Sequence, residues 1–197
     1  MTCIVGVKDQ KNGITYLGGD SLGSNGYSGA INKQHKVFHC QDTKDIIMGY
    51  TSSFRMGQLL MYGTNLFDEL TIHKNDIDYK YLVTKFIPNI QSLFSKGGYE
   101  VNKSGEKSAG EFLLGYKDRL FKIQSDYSVL ENVYNYDACG SGEYFALGAL
   151  KAIEDLDLSP IERIHIALRS ASEFVTSVAP PFYIINTEND DVVEFKD

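Results

Sequence analysis

Thr2 is the residue whose type and position could carry chemistry unaided. Removal of Met1 would make it N-terminal, and threonine is small enough for methionine removal to tolerate. An N-terminal threonine holds nucleophile and base on one residue, because its α-amine has a reference pKa of about 7.7–8.0. The amine can take the hydroxyl proton, through water, without any histidine. With Met1 retained, the amine sits on the wrong residue and Thr2 has no internal base. Cys3 becomes N-terminal only if Met1 and Thr2 are both lost, so it reads as a strand residue beside the site.

Other candidates fall away. His35, His39, His73 and His165 include no HExxH and no pair flanked by further ligands. Cys3, Cys40 and Cys139 are odd in number, widely spaced and without a CxxC pair, which suggests neither a disulfide framework nor a zinc site. GSGEYFALG lacks the third glycine of a dinucleotide fingerprint, and GGDSLGSNG lacks the Lys-Ser/Thr ending of a phosphate loop. Their glycines read as tight turns. No metal and no cofactor is expected.

The elements that must position Thr2 come in segregated runs. Segment 2–8 is β-branched, Asn12-Gly13 signals a hairpin, and 14–19 is the partner strand. Further strands fall near 34–39 and 45–51. The apolar stripes of 53–71 and 79–95 have the 3.6-residue period of helices, the second with Asp76 or Asp78 as cap. Residues 97–108 read as a loop, followed by strands at 112–116, 120–123 and 133–139. One helix follows Gly140-Ser141-Gly142 and runs to about Glu154. Another opens at Ser159-Pro160-Ile161-Glu162, which carries a cap, a first-turn proline and a capping-box glutamate, and runs to Pro180-Pro181. FYII and VVEF close the chain as strands. Strands, two helices, strands, two helices, strands argue for an α+β fold with antiparallel sheets. With no internal repeat, residues 1–197 are expected to form a single domain.

Composition sets the class. The chain has 197 residues, 43% apolar and 23% charged, an ordinary globular balance. Its formal charge of −7, from 19 basic and 26 acidic residues, disfavours nucleic acid, which needs a basic face. No apolar run approaches the roughly 18–20 residues of a membrane span, and the start MTCIVGVKDQ lacks the form of a signal peptide. A cytoplasmic location is expected, with no membrane partner.

An ordered set of motifs carries more weight than any single residue. TCIVGV, the GGD ending at Asp20, HKVF with Lys36, IIMGY with Gly49 and CGSGEYFALGAL with Ser141 occur in one order at workable spacings. Together they resemble a proteasome-type β subunit, more closely the peptidase of the bacterial two-component ATP-dependent protease, an N-terminal nucleophile hydrolase. Taken singly, Lys36 is a solvated charge, Asp20 a turn former and Ser141 a helix cap. The resemblance spans the chain and is strongest in the first fifty residues.

The resemblance implies a four-layer αββα sandwich of two antiparallel sheets flanked by the helix pairs 53–71/79–95 and 143–155/160–177. It gives Thr2 the nucleophile position, with Asp20 and Lys36 as the acidic and basic residues beside it. An ammonium there lowers the proton affinity of the hydroxyl, and the carboxylate holds the ammonium. Gly49 is implied as the oxyanion donor and Ser141 as the partner of the terminal amine and a water. Glu173 and Thr176 fall where the family commonly has Asp and Ser. Residues near the implied pocket are Gly23, Gln34, Ile47 and Thr51. The implied activity is a threonine-type endopeptidase acting on peptide or unfolded protein, in a homo-oligomeric ring with a ring ATPase unfoldase as partner. Two alternatives stand beside it: a non-catalytic ring or scaffold subunit that keeps Met1, and a small-molecule amidase of the same fold.

Overall fold

A computed structural model describes residues 2–67, 77–103 and 106–197. Two five-stranded antiparallel sheets form its centre. The first contains β1 (Cys3–Asp9), β2 (Ile14–Gly19), β12 (Tyr136–Gly140), β13 (Phe182–Asn186) and β14 (Val193–Phe195), in the order β12-β1-β2-β13-β14. The second contains β5 (Val37–His39), β6 (Ile46–Tyr50), β9 (Phe112–Tyr116), β10 (Arg119–Ile123) and β11 (Val129–Glu131), in the order β11-β10-β9-β6-β5. Every neighbouring pair is antiparallel, as the hairpin signal leads one to expect. At the β1–β2 turn only Gly13 takes a positive φ, 74°, while Asn12 is tied back to the Asp9 carboxylate.

Two small hairpins sit where the sequence reads as loop: β3 (Leu22–Ser24) with β4 (Gly29–Ile31), and β7 (Val101–Lys103) with β8 (Glu106–Ser108). Both are Gly- or Lys-rich, three-residue strands without apolar alternation, so the two-residue period is invisible in them.

The helices also depart from the periodic stripes. α1 covers Phe54–Tyr62, not 53–71. Its stripe continues, but Gly63 is extended and the Asp42 carboxylate accepts the N–H groups of Asn65, Leu66 and Phe67, which takes that segment off the helical path. The rest of the expected helix, and Asp76, lie outside the described residues. α2 runs from Tyr79 to Lys96, with Asp78 capping the Tyr81 N–H. It contains one wide turn, Leu82–Phe86, closed by the Ile87 N–H on the Leu82 carbonyl. Pro88 follows directly; it has no N–H to give and its ring crowds the preceding turn, which the widened turn accommodates. α3 (Glu143–Ala152) and α4 (Pro160–Phe174) follow the sequence more closely, and α4 has the full capping box of Ser159 and Glu162. No helix among the described residues is long and apolar enough to cross a membrane.

Burial divides into three clusters. Ile4, Leu17, Cys139 and Ile185 of the first sheet meet Val37, Ile47, Leu113 and Leu120 of the second. Cys3, Val5, Ala138 and Ile184 pack with Ala146, Leu150, Ile164 and Leu168 of α3 and α4. Ile46, Met48, Phe112 and Leu114 pack with Met56, Leu60, Phe86 and Phe94 of α1 and α2. β1 is therefore buried on both faces, with odd-numbered residues toward the helices and Ile4 toward the other sheet. Thr2 continues the parity of Ile4 and so starts on the inter-sheet side.

Candidate active site

Where the two sheets meet at the start of β1, four of the residues singled out in the sequence come together. Lys36, immediately before β5, is only 2% exposed. Its Nζ donates to the Thr2 Oγ1 at 2.9 Å, to the Asp20 Oδ1 at 2.8 Å and to the Leu22 carbonyl at 2.7 Å. Those three acceptors use all three ammonium protons. Asp20, fully buried, accepts in addition from the Cys3 N–H at 3.0 Å and, through Oδ2, from the Leu22 N–H at 3.0 Å. The Thr2 N–H donates to the Ser141 Oγ at 3.2 Å, and that hydroxyl donates to the Thr2 carbonyl at 3.2 Å.

Electrostatics follow from this burial. Desolvation pushes the Asp20 carboxyl up, while Lys36 and the two backbone N–H donors oppose it. Desolvation likewise pulls the Lys36 ammonium below the ordinary lysine value, with Asp20 opposing the change. The result is a cation poised beside a hydroxyl oxygen and closer to giving up a proton than a lysine in water.

Glycines explain how the backbone admits this packing. A Cβ on Gly140, whose φ is +96°, would sit 2.3 Å from the Thr2 carbonyl oxygen. One on Gly142 would lie 2.9 Å from the Cys3 Sγ. The Gly-Ser-Gly string is thus a close approach of β12 to the chain start, and Ser141 does not cap α3. The cap is Gly142, without a side-chain bond.

Gly49 is placed differently from its implied role. The Tyr50 N–H reaches the Lys36 carbonyl toward β5 and the Thr51 N–H reaches the Glu111 carbonyl on the β9 side. By strand alternation the Gly49 N–H points toward its register partner Leu113 in β9 and belongs to the ladder. The need for glycine there is steric, since a Cβ would sit 2.6 Å from the Ile4 Cγ2. Beside Thr2 is instead a small cavity of about 50 Å³ lined by Thr2, Ser24, Tyr50, Thr51, Ser52, Ser53 and Phe54. Ser52 has a φ of 65°, and its N–H makes no hydrogen bond among the described residues. Glycine-like backbone at a serine was the missed signal. A positive φ at a residue other than glycine leaves no mark in the sequence.

Glu173 and Thr176 are exposed and lie outside the hydrogen-bonded cluster. α4 ends at Phe174 with Val175 extended, so Ser177, the next hydroxyl along, is the residue that turns inward. It is buried and meets the Ser141 Oγ at 3.0 Å. Of the implied pocket residues only Thr51 lines the cavity; Ile47 is in the inter-sheet core, Gln34 is exposed, and Gly23 is covered by Asn32 and Phe54. Neither His35, stacked on Tyr183, nor His39, bonded to the Lys44 carbonyl, enters the cluster.

Comparison with solved structures decides the fold. BPH of Thiobacillus denitrificans, in a complex with epoxomicin, is similar over 94% of this chain and 97% of its own, with 18% identity and a TM-score of 0.71. The fold is that of a proteasome-type β subunit. HslV of Trypanosoma brucei shares this proteasome-type fold at 17% identity and a TM-score of 0.67, covering 94% of this chain and 98% of that one. Anbu, an ancestral β subunit from Yersinia bercovieri, matches 100% of this chain and 88% of its own at 13% identity and a TM-score of 0.71. No protein-family model and no curated protein sequence matches the chain.

Proposed function

We propose that the chain is a threonine-type endopeptidase whose nucleophile is Thr2 after removal of Met1. The observation that carries the reading is the buried ammonium of Lys36, 2.9 Å from the Thr2 Oγ1 and neutralised by Asp20. Thr2 Oγ1 attacks the peptide carbonyl while its proton passes, through water, to its own α-amine. The Lys36 charge stabilises the forming alkoxide, and the Ser52 N–H donates to the oxyanion, a role typically worth ~10²–10³ in rate. Collapse breaks the C–N bond, and the α-ammonium returns its proton to the departing amine. Water then attacks the Thr2 ester, giving its proton to the α-amine, and the acid product leaves as the hydroxyl is restored. Ser141, tied to Ser177, orients the amine and that water.

The same reading takes residues 1–197 as one domain with the layer order helix pair, sheet, sheet, helix pair; the three core clusters support it. It also takes the protein as a homo-oligomeric ring served by a ring ATPase. Exposed Tyr144, Phe145 and Phe174 on α3 and α4 support assembly, and a sedimentation mass of 22.0 kDa at micromolar concentration would overturn it.

The deciding experiment is hydrolysis of fluorogenic peptides by protein whose N-terminus is verified as Thr2. Thr2→Ala should abolish turnover with the fold intact, Thr2→Ser should retain part of it, and epoxomicin should inhibit. Full activity in Thr2→Ala would end the proposal. Inactivity of the wild type after confirmed Met1 removal would favour the scaffold reading, and cleavage of small amides alone would favour the amidase.

A further inference from the structure

A second, half-buried ion pair lies behind the Thr2 cluster and has no part in the chemistry above. Lys122 of β10 and Glu143, the first residue of α3, are 2.8 Å apart, with side chains 12% and 17% exposed. Lys122 has the parity of Leu120, which faces the other sheet, while Phe121 and Ile123 face the α1–α2 side. It therefore crosses between sheets, and its Nζ also donates to the Ala138 carbonyl at 3.1 Å. Ala138 lies two residues before Gly140, and Glu143 comes directly after Gly142. One ammonium thus holds both arms of the Gly140-Ser141-Gly142 turn. Burial pushes that ammonium down, but the hydrogen bond and charge of Glu143 outweigh it and hold Lys122 above the ordinary lysine value. The Lys122 ammonium stays charged at neutral pH.

The turn needs such a hold. Glycines on both sides of Ser141 leave its backbone little intrinsic preference. The two Ser141–Thr2 bonds are already 3.2 Å long, so a shift of a few tenths of an ångström takes them beyond hydrogen-bond range. We propose that Lys122 and Glu143 are positioning residues that fix the Ser141 hydroxyl against Thr2 by clamping the turn that carries it, without touching substrate. The catalytic consequence rests on the peptidase reading; the clamping itself does not.

The test is a double-mutant cycle in protein from which Met1 has been removed. Lys122→Met and Glu143→Gln should each lower kcat about tenfold to ~10²-fold, the cost of a ~1 Å misplacement, with KM unchanged. In a Ser141→Ala background the same changes should cost almost nothing more, because the group they position is gone. The conservative Lys122→Arg, which keeps a cation with donors for both the Ala138 carbonyl and the Glu143 carboxylate, should retain a large part of kcat. Equal losses with and without Ser141, or unchanged kcat in both single variants, would overturn the proposal. Amide hydrogen exchange keeps it separable from the peptidase reading. In Thr2→Ala protein, which is inactive either way, Lys122→Met should speed exchange at Ser141 and Gly142 several-fold while leaving β1 and β2 unchanged. Unchanged exchange at the turn would sink the clamp even if the enzyme is a peptidase, and faster exchange would sustain it even if it is not.

Discussion

Two lysine–aspartate pairs in this chain have the same chemistry and opposite surroundings. Lys36 and Asp20 have side chains 1% and 0% exposed, whereas Lys44 and Asp190 have side chains 74% and 60% exposed. Water screens the second pair, so its attraction does little for fold or function. Nothing screens the first, and each of its partners must be fully hydrogen-bonded to be tolerated there. The donors and acceptors are spent accordingly: three acceptors on the ammonium, and three donors on the carboxylate. One of those acceptors is the Thr2 hydroxyl. A buried pair becomes a tool when one of its bonds points at a reactive atom.

Breaking the buried pair from one side should have the largest effect. Lys36→Met leaves the Asp20 charge uncompensated, which typically costs about 3–5 kcal/mol, and it removes the cation from the Thr2 oxygen. Peptide turnover should fall below detection and the denaturation midpoint should drop sharply. Lys36→Met combined with Asp20→Asn should recover much of the stability and none of the activity. Denaturant titration beside a peptidase assay separates the two losses, and activity in the double variant would mean that the ammonium is dispensable.

Asp20→Asn alone sharpens the comparison through pH. Lys36 already titrates below the ordinary lysine value because of burial, and Asp20 is what opposes that shift. Activity that needs the ammonium is lost as pH rises through the Lys36 pKa. Removing the Asp20 charge lowers that pKa further, so the alkaline limb of kcat/KM should move to lower pH while the acid limb, set by the α-amine, stays near its place. An unmoved alkaline limb would assign it to another group.

How much of this was legible depends on whether a feature leaves a local mark. The capping box at Ser159, the glycine at position 13 and the two flanking Ser141 all mark the sequence, because backbone geometry demands those residue types. The ordered spacing of Thr2, Asp20, Lys36 and Ser141 gathered them as one set, and the structure links them by hydrogen bonds, Lys36 to Asp20 and to Thr2, and Thr2 to Ser141. What was not legible depends on tertiary context. The end of α1 is set by Asp42, from a different loop. The N–H of Gly49 is taken by a ladder whose register no single strand reveals. Ser52 adopts a glycine-like φ under the constraint of its neighbours, and α4 stops at Phe174, three residues short of the expected 160–177, which turns Ser177 inward instead of Thr176.

Breaking the exposed pair should do almost nothing, and that is the most informative small effect. Lys44→Ala and Asp190→Ala remove a contact that joins residues 146 apart in sequence, a separation at which a bond that mattered would tie two segments together. Yet both ends are long-range only in sequence. His39 Nδ1 already fixes the Lys44 carbonyl, and Asn186 anchors the loop before Asp190 by accepting from the Glu188 and Asn189 N–H groups. The Asp190 carboxyl is held below the usual carboxylate range by Lys44, so if the pair contributes at all, its share is lost as pH falls through that lowered value. Melting curves of either variant should overlay the wild type at physiological salt, and peptide hydrolysis should be unchanged. A clear drop in melting temperature would show that exposure alone does not decide which pairs matter, and the contrast with Lys36 and Asp20 would then have to rest on hydrogen-bond saturation.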